Sequence, residues 1–295
     1  MRAAAILGLG CSPKSLTPFQ TDKTAEWQLG MPADRDQAEI ILIFGGDGTI
    51  HRHLGQLVKL GLPVLVVPTG SGNDFARALG LLSGGDSLSA WQRFSSGAEN
   101  VRPIDLGIIS GISAEEHPAP RTQYFCCVAG VGIDSEVARK ANRLPRWLRG
   151  NGGYVLALVP TIFTFAPFPM KILTPAAVPS SDNWNIRSNQ PILLAAFANT
   201  STFGDGMKIA PQARMDDGLL DICVVGSVDP FKLFSMFPTV YSGKHLNIRE
   251  VEYFHSPRVR VETERPLDVY ADGEYVCRTP VEIGLQPAAL RVVVP

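Results

Sequence analysis

The sequence has almost no excess of charge of either sign. It holds 27 Lys and Arg residues against 28 Asp and Glu residues, which gives a formal net charge of −1 at pH 7. The basic residues are scattered along the chain rather than grouped into runs. Proteins that bind DNA or RNA usually present a basic patch, so we expect no nucleic acid as a partner.

Cysteine is scarce as well, with five residues at uneven spacings: Cys11, Cys126, Cys127, Cys223 and Cys277. Because the number is odd and most of them lie in apolar segments, we expect buried, reduced thiols rather than a disulfide framework or a zinc site. Neighbouring residues of a strand point to opposite faces, so Cys126 and Cys127 are not expected to share a metal ion. This use of cysteine predicts a cytoplasmic protein.

No apolar run has the length of a membrane-spanning helix. The most apolar stretch, residues 154–170, contains three prolines and is shorter than the roughly 20 residues that such a helix needs. We expect a core-facing helix that ends near residue 165. The apolar residues 3–9 are better explained as a first strand than as a signal segment, because the run is short and no clear cleavage site follows it.

Two glycine-rich turns are present, and each directly follows an apolar run. The sequence Gly-Gly-Asp-Gly-Thr at residues 45–49 follows the run 40–44, and Thr-Gly-Ser-Gly-Asn-Asp at residues 69–74 follows the run 63–67. Both runs are typical of buried parallel strands, whose carboxyl ends bind ligands in open α/β sheets. Glycine permits positive φ and a close approach of main-chain amides to phosphate. We therefore predict a nucleotide-phosphate site, with Asp47 as a partner for Mg²⁺.

The pattern of elements changes near residue 105. Before it, strands (3–9, 39–44, 63–67) alternate with helices (50–60, 74–80, 87–96), which predicts a Rossmann-like parallel-sheet domain over 1–105. After it, short strands dominate and predict an antiparallel β-sandwich domain over 106–285. The strands are expected at 102–110, 123–130, 170–173, 191–198, 218–225, 258–262, 267–271, 281–285 and 290–294, with helical segments at 133–165 and 230–242 and loops at 110–121 and 175–189. That residues 286–295 return to the first domain is a hypothesis.

Three further motifs follow in order. They are Asn-Thr-Ser-Thr-Phe-Gly-Asp-Gly-Met at residues 199–207, Asp-Asp-Gly-Leu-Leu-Asp at 216–221 and Asp-Gly-Glu at 272–274. From about residue 40 to the C-terminus, this series resembles the diacylglycerol kinase catalytic domain family of bacterial lipid kinases, which are relatives of sphingosine kinases. The order and spacing of the motifs are more specific than any single motif.

The resemblance implies an α/β domain and a β-sandwich domain with ATP and substrate in the cleft between them. It implies that the first turn wraps the ATP phosphates and that the second contacts the nucleotide through the hydroxyl of Ser71. The nucleotide-binding residues would be Gly45, Gly46, Asp47, Gly48, Thr49, Ile50, His51, Ser71, Gly72 and Asn73. It also implies a Mg²⁺ ion held by the Asp217 carboxylate and the carbonyls of Arg214 and Leu219.

Catalysis in the family needs a carboxylate that accepts the proton of the attacking hydroxyl. The resemblance assigns this role to Glu274. Asp272 is a further catalytic candidate of the motif, and with Gly273 it forms a turn that would present Glu274 at a strand end. Taken alone, Asp-Gly is also a common hairpin signal, so a solvated hairpin is an alternative. Asp47 is the rival base, because the corresponding residue of sphingosine kinases is assigned that role.

The leading hypothesis is ATP-dependent phosphorylation of a lipid hydroxyl. Diacylglycerol is the substrate that the resemblance implies first. A lipid substrate also implies transient contact of the enzyme with a membrane surface. The helix near residues 154–165 would line an acyl cleft or pack in the core. The family's Asn-Pro signature near the first strand is missing, since residues 7–13 read Leu-Gly-Leu-Gly-Cys-Ser-Pro. The alternatives are therefore an NAD kinase-like phosphotransferase and an inactive nucleotide- or lipid-binding regulator. A homodimer is a further hypothesis.

Overall fold

The computed structural model describes residues 1–21, 25–112, 122–144, 153–176 and 183–295. These residues form two compact units, Met1–Leu106 with Pro287–Pro295 and Gly107–Gln286. The functions that the sequence suggests for the domains 1–105 and 106–285, and the cleft expected between them, stay predictions.

The first unit is built on parallel strands. Strands β1 (Arg2–Leu7), β2 (Glu26–Leu29), β3 (Ile40–Gly45) and β4 (Pro63–Pro68) pair in the order β2-β1-β3-β4. The end of β15 (Val281–Val293) continues this sheet, because Arg291 and Val292 pair in parallel with Pro63 and Val64 of β4. Every residue of β3 is buried, which explains why its sequence is uniformly apolar rather than alternating.

Three helices belong to the first unit: α1 (Asp47–Leu60), α2 (Asp74–Ala78) and α3 (Gly84–Ser95). Helix α1 buries Ile50, Leu54 and Leu57, whose spacing places them on one face. Gly61 ends α1 with a φ of 63°, the left-handed conformation that glycine adopts without strain. Short 3-10 helices cover Pro13–Gln20 and Arg35–Gln37.

The second unit is mainly antiparallel. It contains β5 (Val101–Gly111, shared with the first unit), β6 (Gln123–Phe125), β7 (Val128–Gly132), β8 (Phe168–Pro175), β9 (Trp184–Ala198), β10 (Leu220–Gly226), β11 (Val251–Ser256), β12 (Arg258–Thr263), β13 (Asp268–Ala271) and β14 (Glu274–Arg278). The long strand β9 pairs with β8 through its first half and with β7 and β10 through its second half. Its apolar residues join those of β7, β8, β10, β12, β13 and β15 in one core.

Helices α4 (Ile133–Ala141), α5 (Gly153–Thr164) and α6 (Pro230–Met236) form a smaller apolar cluster of the second unit. The cluster includes Val137 of α4, Leu158 and Ile162 of α5, and Leu193 of β9. Two 3-10 helices, Phe237–Ser242 and Lys244–Asn247, follow α6. No helix among the described residues is long and apolar enough to cross a bilayer.

The predicted fold class is confirmed: the N-terminal strands are parallel and the C-terminal strands are antiparallel. Several element bounds were wrong. The predicted strands 281–285 and 290–294 are one strand, β15, although Ala288 has a φ of 49° within it. Part of the predicted loop 175–189 is strand, since β9 begins at Trp184. Strands β2, β11 and β14 were not predicted, because each is short or only partly buried.

The predicted strand 123–130 is interrupted at Cys126 and Cys127, which form a bend between β6 and β7. The expectation that these two side chains point apart is therefore wrong, and their Sγ atoms lie 3.8 Å from each other. All five cysteines are free thiols, as expected, but Cys11 and Cys277 are only partly buried. Of the predicted helix 133–165, residues 145–152 lie outside the described part of the chain, as do 113–121 of the predicted loop 110–121.

Candidate functional site

The first glycine turn lies where β3 passes into α1. Gly45 is the last residue of β3, Gly46 is the N-cap residue of α1, and Asp47, Gly48 and Thr49 form the first helical turn. The predicted helix therefore begins three residues earlier than expected, at Asp47 rather than Ile50. An α-helix carries partial positive charge at this end, which favours an anion such as phosphate.

The second glycine turn packs directly against the first. A Cβ atom added at Gly46 would lie 2.4 Å from the carbonyl oxygen of Gly72, and one added at Gly70 would lie 2.6 Å from the Cα of Gly46. Any side chain at these positions would force the turns apart. None of these three glycines has a positive φ, so the expectation of left-handed backbone was wrong, and it is the close approach that requires glycine.

The Asp47 carboxylate joins the two turns. Its Oδ2 accepts a hydrogen bond from the amide of Asp74 at 2.9 Å, and its Oδ1 accepts one from the amide of Phe75 at 3.0 Å. Asp47 thus caps α2 from another loop, whereas the N-cap residue Asn73 bonds to the backbone of Gly70 instead. Both Asp47 oxygens contact protein amides, which gives this residue a structural task in addition to any role toward magnesium or as a base.

A third loop meets the other two; it contains residues 7–13, which correspond to the family's Asn-Pro signature but were not among the predicted site residues. The amide of Gly8 donates to the carbonyl of Phe44 at 2.7 Å, and Cys11 Sγ lies 3.1 Å from Thr69 Oγ1. The loops after β1, β3 and β4 therefore converge within the first unit, at the carboxyl ends of parallel strands. The signal that could have located this loop is its position after β1, even though its Asn-Pro signature is absent.

The remaining predicted nucleotide residues differ in exposure. Ser71 is exposed at the tip of the second turn, and Gly48, Thr49 and His51 are half-buried. The side chain of Ile50 is only 1% exposed and belongs to the core, so that only its backbone is available to a ligand. The positive charge nearby comes from Arg77, which pairs with Asp74, and from Arg52, whose Nε donates to the carbonyl of Gly48 at 2.9 Å.

The Asp-Gly-Glu motif forms a tight hairpin in the second unit. Asp272 and Gly273 have φ angles of 51° and 83°, and Ala271 of β13 pairs with Glu274 of β14. Two successive positive φ angles are characteristic of the two-residue type I′ turn that Asp-Gly favours. The hairpin that the sequence offered as an alternative is therefore present, and Glu274 is the half-buried first residue of β14.

The Asp272 carboxylate is bound to the bend between β6 and β7. It accepts hydrogen bonds from the amides of Cys126 at 2.9 Å, Cys127 at 2.8 Å and Val128 at 3.3 Å. The Asn142 side chain at the end of α4 donates to the carbonyl of Gly273 at 2.8 Å. These contacts fix the turn on both sides. Asp272 therefore positions the hairpin, and Glu274 is the carboxylate of the motif that the turn presents.

The predicted magnesium loop is exposed and rich in oxygen donors. Asp217 Oδ1 accepts from the amide of Leu219 at 3.0 Å, and Arg214 Nε pairs with Asp216 at 3.1 Å. Nearby in sequence, the buried Asp221 has an Oδ2 atom with no hydrogen-bond partner among the described residues. Burial, and to a lesser extent the charge of Asp217, raises the pKa of Asp221. One carboxylate, two carbonyls and this acidic surrounding fit a hard cation such as magnesium.

An apolar pocket lies beside the helices of the second unit. Its walls include Leu158 and Ile162 of α5, and Leu233 and Met236 of α6. The space between these walls is ≈ 670 Å³ when the part open to solvent is included, and its lining is almost entirely apolar. Helix α5 packs in the apolar cluster, as expected, and also lines this pocket; that the pocket is an acyl cleft stays a prediction.

Two titratable side chains, Asp134 and His245, line this apolar pocket. Burial raises the pKa of Asp134 from its usual 3.8 to about 7, and its Oδ1 has no hydrogen-bond partner among the described residues. Gly130 makes room for this carboxyl group, since a Cβ there would lie 1.5 Å from Asp134 Oδ2. Burial lowers the pKa of His245, whose Nε2 lies 3.2 Å from the carbonyl of Ile209. A carbonyl only accepts, so Nε2 donates and Nδ1 is left as an acceptor.

Comparison with protein families gave two matches. The diacylglycerol kinase catalytic domain matches residues 15–109, and the YegS C-terminal NAD kinase beta sandwich-like domain matches residues 127–294. The chain is 33% identical over 257 residues to the diacylglycerol kinase of Mycobacterium tuberculosis, covering 87% of this chain and 77% of that protein. It is 27% identical to the diacylglycerol kinase of Bacillus subtilis, and the match covers 87% of this chain and 78% of that protein.

Solved structures are similar in fold. A putative diacylglycerol kinase from Bacillus anthracis superposes with a TM-score of 0.73 at 22% identity, covering 100% of this chain and 95% of that one. An NAD kinase from Archaeoglobus fulgidus, solved in complex with ATP, gives a TM-score of 0.51 at 15% identity. The match covers 100% of this chain and 93% of that one. At these identities the likeness concerns the fold alone.

The position of Cys11 allows a test of the three-loop site. Cys126, Cys127 and Cys223 are buried, and burial raises the pKa of Cys277 to about 11. We therefore expect N-ethylmaleimide at about pH 7.5 to modify Cys11 first, as mapped by peptide mass spectrometry. Millimolar ATP should slow this modification several-fold, because phosphates held at the three loops would cover the thiol.

Adenosine, which has no phosphates, is the matched ligand control, and Cys11→Ser should remove the ATP-sensitive label. An unchanged rate of Cys11 labelling in the presence of ATP would contradict a phosphate site at these loops.

The raised pKa of Asp134 predicts a dependence of stability on pH. Because the folded state holds the Asp134 proton up to about pH 7 and the unfolded chain releases it near pH 3.8, the wild type loses stability as pH rises between these values. Asp134→Asn has no such loss. The free energy of unfolding of Asp134→Asn minus that of the wild type should therefore increase by roughly 2 kcal/mol between pH 5.5 and pH 8.5, as measured by urea unfolding.

Asp36→Asn, which changes an exposed carboxyl, is the control and should show no comparable trend. A difference between wild type and Asp134→Asn that stays constant from pH 5.5 to 8.5 would show that Asp134 is not protonated in the fold.

Proposed function

The chain belongs to the diacylglycerol kinase catalytic domain family, and from this we propose that it transfers the γ-phosphate of ATP to the hydroxyl group of a neutral lipid, with diacylglycerol the first candidate. The name of the Mycobacterium tuberculosis relative supports this acceptor. The observation that carries the proposal is the apolar pocket of the second unit. An acyl chain suits its aliphatic and aromatic walls, whereas a dinucleotide would need many more polar partners.

The two polar groups of the pocket also suit an uncharged acceptor. Near neutral pH Asp134 is close to half protonated and His245 is neutral, so that both are able to hydrogen-bond without a full charge. Protonated Asp134 can donate to an ester carbonyl, and His245 Nδ1 can accept from a hydroxyl. We propose that these contacts orient the polar end of the lipid.

Phosphoryl transfer depends mainly on positioning and on neutralising phosphate charge. We propose that the amides of the two glycine turns bind the phosphates of ATP, together with Arg77 or Arg52. A magnesium ion would supply further neutralisation, and Asp217 with the carbonyls of Arg214 and Leu219 would hold such an ion. Glu274 accepts the proton of the lipid hydroxyl, since Asp272 is occupied by the amides of 126–128 and Asp47 by those of α2.

The activity test combines purified protein, magnesium, labelled ATP and separate acceptors. We expect labelled phosphatidate from diacylglycerol. Labelled NADP from NAD, with no lipid product, would replace the proposal by the NAD kinase alternative. ATP binding without any labelled product would favour the regulator that has lost catalysis.

Substituting the proposed base tests its role. Glu274→Gln should lower kcat by at least about 100-fold while the protein still binds ATP, because general-base catalysis typically contributes about 10²–10⁴-fold. Glu264→Gln, at an exposed position in the bend after β12, is the matched control and should retain activity. Near-wild-type turnover of Glu274→Gln would reject Glu274 as the base.

An exposed aromatic patch is a candidate for membrane contact. It consists of Phe163 of α5, 46% exposed, and Phe231 and Phe234 of α6, 75% and 49% exposed. The ring centroid of Phe163 lies 5.5 Å from that of Phe231 and 6.1 Å from that of Phe234. The same two helices line the apolar pocket. We propose that this patch enters the bilayer surface transiently, so that a lipid passes between membrane and pocket. The homodimer stays a prediction.

Replacing two of these rings tests the contact. Burying a phenylalanine side chain contributes about 1.5–3 kcal/mol, so Phe231→Ser with Phe234→Ser should weaken binding to phospholipid vesicles by at least about tenfold in a sedimentation assay. Turnover of a short-chain, water-soluble diacylglycerol should change little. Leu82→Ser, which removes an exposed apolar side chain of the first unit, is the control. Equal vesicle binding by wild type and the double variant would reject the patch.

A further inference from the structure

The bend at Cys126 and Cys127 brings two thiols to one side of the chain. Cys126 is 0% exposed and Cys127 is 2% exposed. Their Sγ atoms are 3.8 Å apart, although the residues are adjacent in sequence. In a regular strand the two side chains would point to opposite faces, and the break between β6 and β7 removes that restriction.

Asp272 adds a carboxylate to this pair. Its Oδ2 lies 3.3 Å from Cys126 Sγ, which donates to it. The two Sγ atoms and one carboxylate oxygen of Asp272 all lie within 4.8 Å of one another. Asp272 is partly exposed, so one side of the group is accessible to an entering ion.

The separations match those around a tetrahedral zinc ion. Zinc binds thiolate sulfur at about 2.3 Å and carboxylate oxygen at about 2.0–2.2 Å. Tetrahedral angles then place two sulfurs about 3.8 Å apart, and a sulfur and an oxygen about 3.5–3.7 Å apart. The observed 3.8 Å between the two sulfurs and 3.3 Å between Cys126 Sγ and Asp272 Oδ2 are close to these values.

The surrounding contacts orient the three groups. The Asp272 carboxylate is held by the amides of residues 126, 127 and 128. Asn199 Nδ2 donates to the carbonyl of Cys126 at 3.1 Å, and the Asn199 amide donates to that of Cys127 at 2.8 Å. Outer contacts of this kind fix the ligands of metal sites and raise their affinity.

We propose that Cys126, Cys127 and Asp272 bind a thiophilic divalent cation of the Zn²⁺ class, with water as the fourth ligand. Binding releases one proton from each thiol, and the bond from Cys126 Sγ–H to Asp272 Oδ2 is replaced by two bonds to the metal. Soft thiolates do not suit Mg²⁺, so this site is separate from the loop at Asp217. The bound ion ties the Asp272-Gly273 turn to the β6–β7 bend, and so restrains the hairpin that presents Glu274.

The test uses the whole chain, purified under reducing conditions without metal and carrying Cys11→Ser to remove the partly exposed thiol. Zinc competition against a chromogenic chelator should give one ion per chain, and Co²⁺ should produce the thiolate-to-cobalt charge-transfer band. Cys126→Ser and Cys127→Ser should each lower zinc affinity by at least about tenfold. Cys277→Ser, a partly buried thiol of the neighbouring strand β14, is the matched control and should bind normally.

Unchanged zinc affinity in folded Cys126→Ser or Cys127→Ser, as judged by circular dichroism, would overturn the proposal. If neither variant folds, the cobalt spectrum of the parent protein decides, and the absence of the charge-transfer band overturns the site. A disulfide between Cys126 and Cys127 in the reduced preparation, detected by mass, would overturn it as well. None of these measurements requires ATP or lipid, so they remain decisive even if the kinase proposal fails.

Discussion

In each of the two units, a carboxylate that accepts hydrogen bonds from main-chain amides of a distant loop holds the candidate site residues in place. In the first unit, Asp47 bonds to the amides of Asp74 and Phe75 and joins two glycine turns. In the second unit, Asp272 bonds to the amides of residues 126–128 and fixes the hairpin before Glu274. Charge-assisted bonds of this type are stronger than neutral ones, and an amide that lost its carboxylate partner would be left unsatisfied. The positions of the candidate loops therefore depend on two acidic side chains.

The two units differ in the chemistry that their candidate sites offer. The loops of the first unit present backbone amides, glycine and a helix N-terminus, which suit an anion. The pocket of the second unit presents aliphatic and aromatic side chains with Asp134 and His245, neither of which is strongly charged at neutral pH. One unit is suited to a polyphosphate and the other to an uncharged apolar molecule. A kinase that acts on a lipid needs both.

The features that could be predicted from the sequence are those that depend on short, local residue patterns. Uniformly apolar runs located β3 and β4, glycine marked the turns after them, and Asp-Gly marked the hairpin at 272–273. The sequence did not predict features that arise from contacts between distant residues. The close approach of Gly46 to Gly72, the capping of α2 by Asp47 and the bend at Cys126 depend on packing that no local window contains. The raised pKa of Asp134 was missed for the same reason, because it follows from desolvation by residues that the fold packs around the carboxyl group.

Strand β15 is made last, but it completes a sheet whose other strands are made first. Its first half pairs with β12, and its end pairs with β4, where Asn100 also bonds to Val294. A ribosome makes β1 to β4 first, yet the β4 edge of their sheet has no neighbouring strand until residues 291–292 have been added. The nascent first unit therefore has an unpaired β4 edge while about two hundred further residues are made, the kind of edge that invites mispairing and chaperone binding.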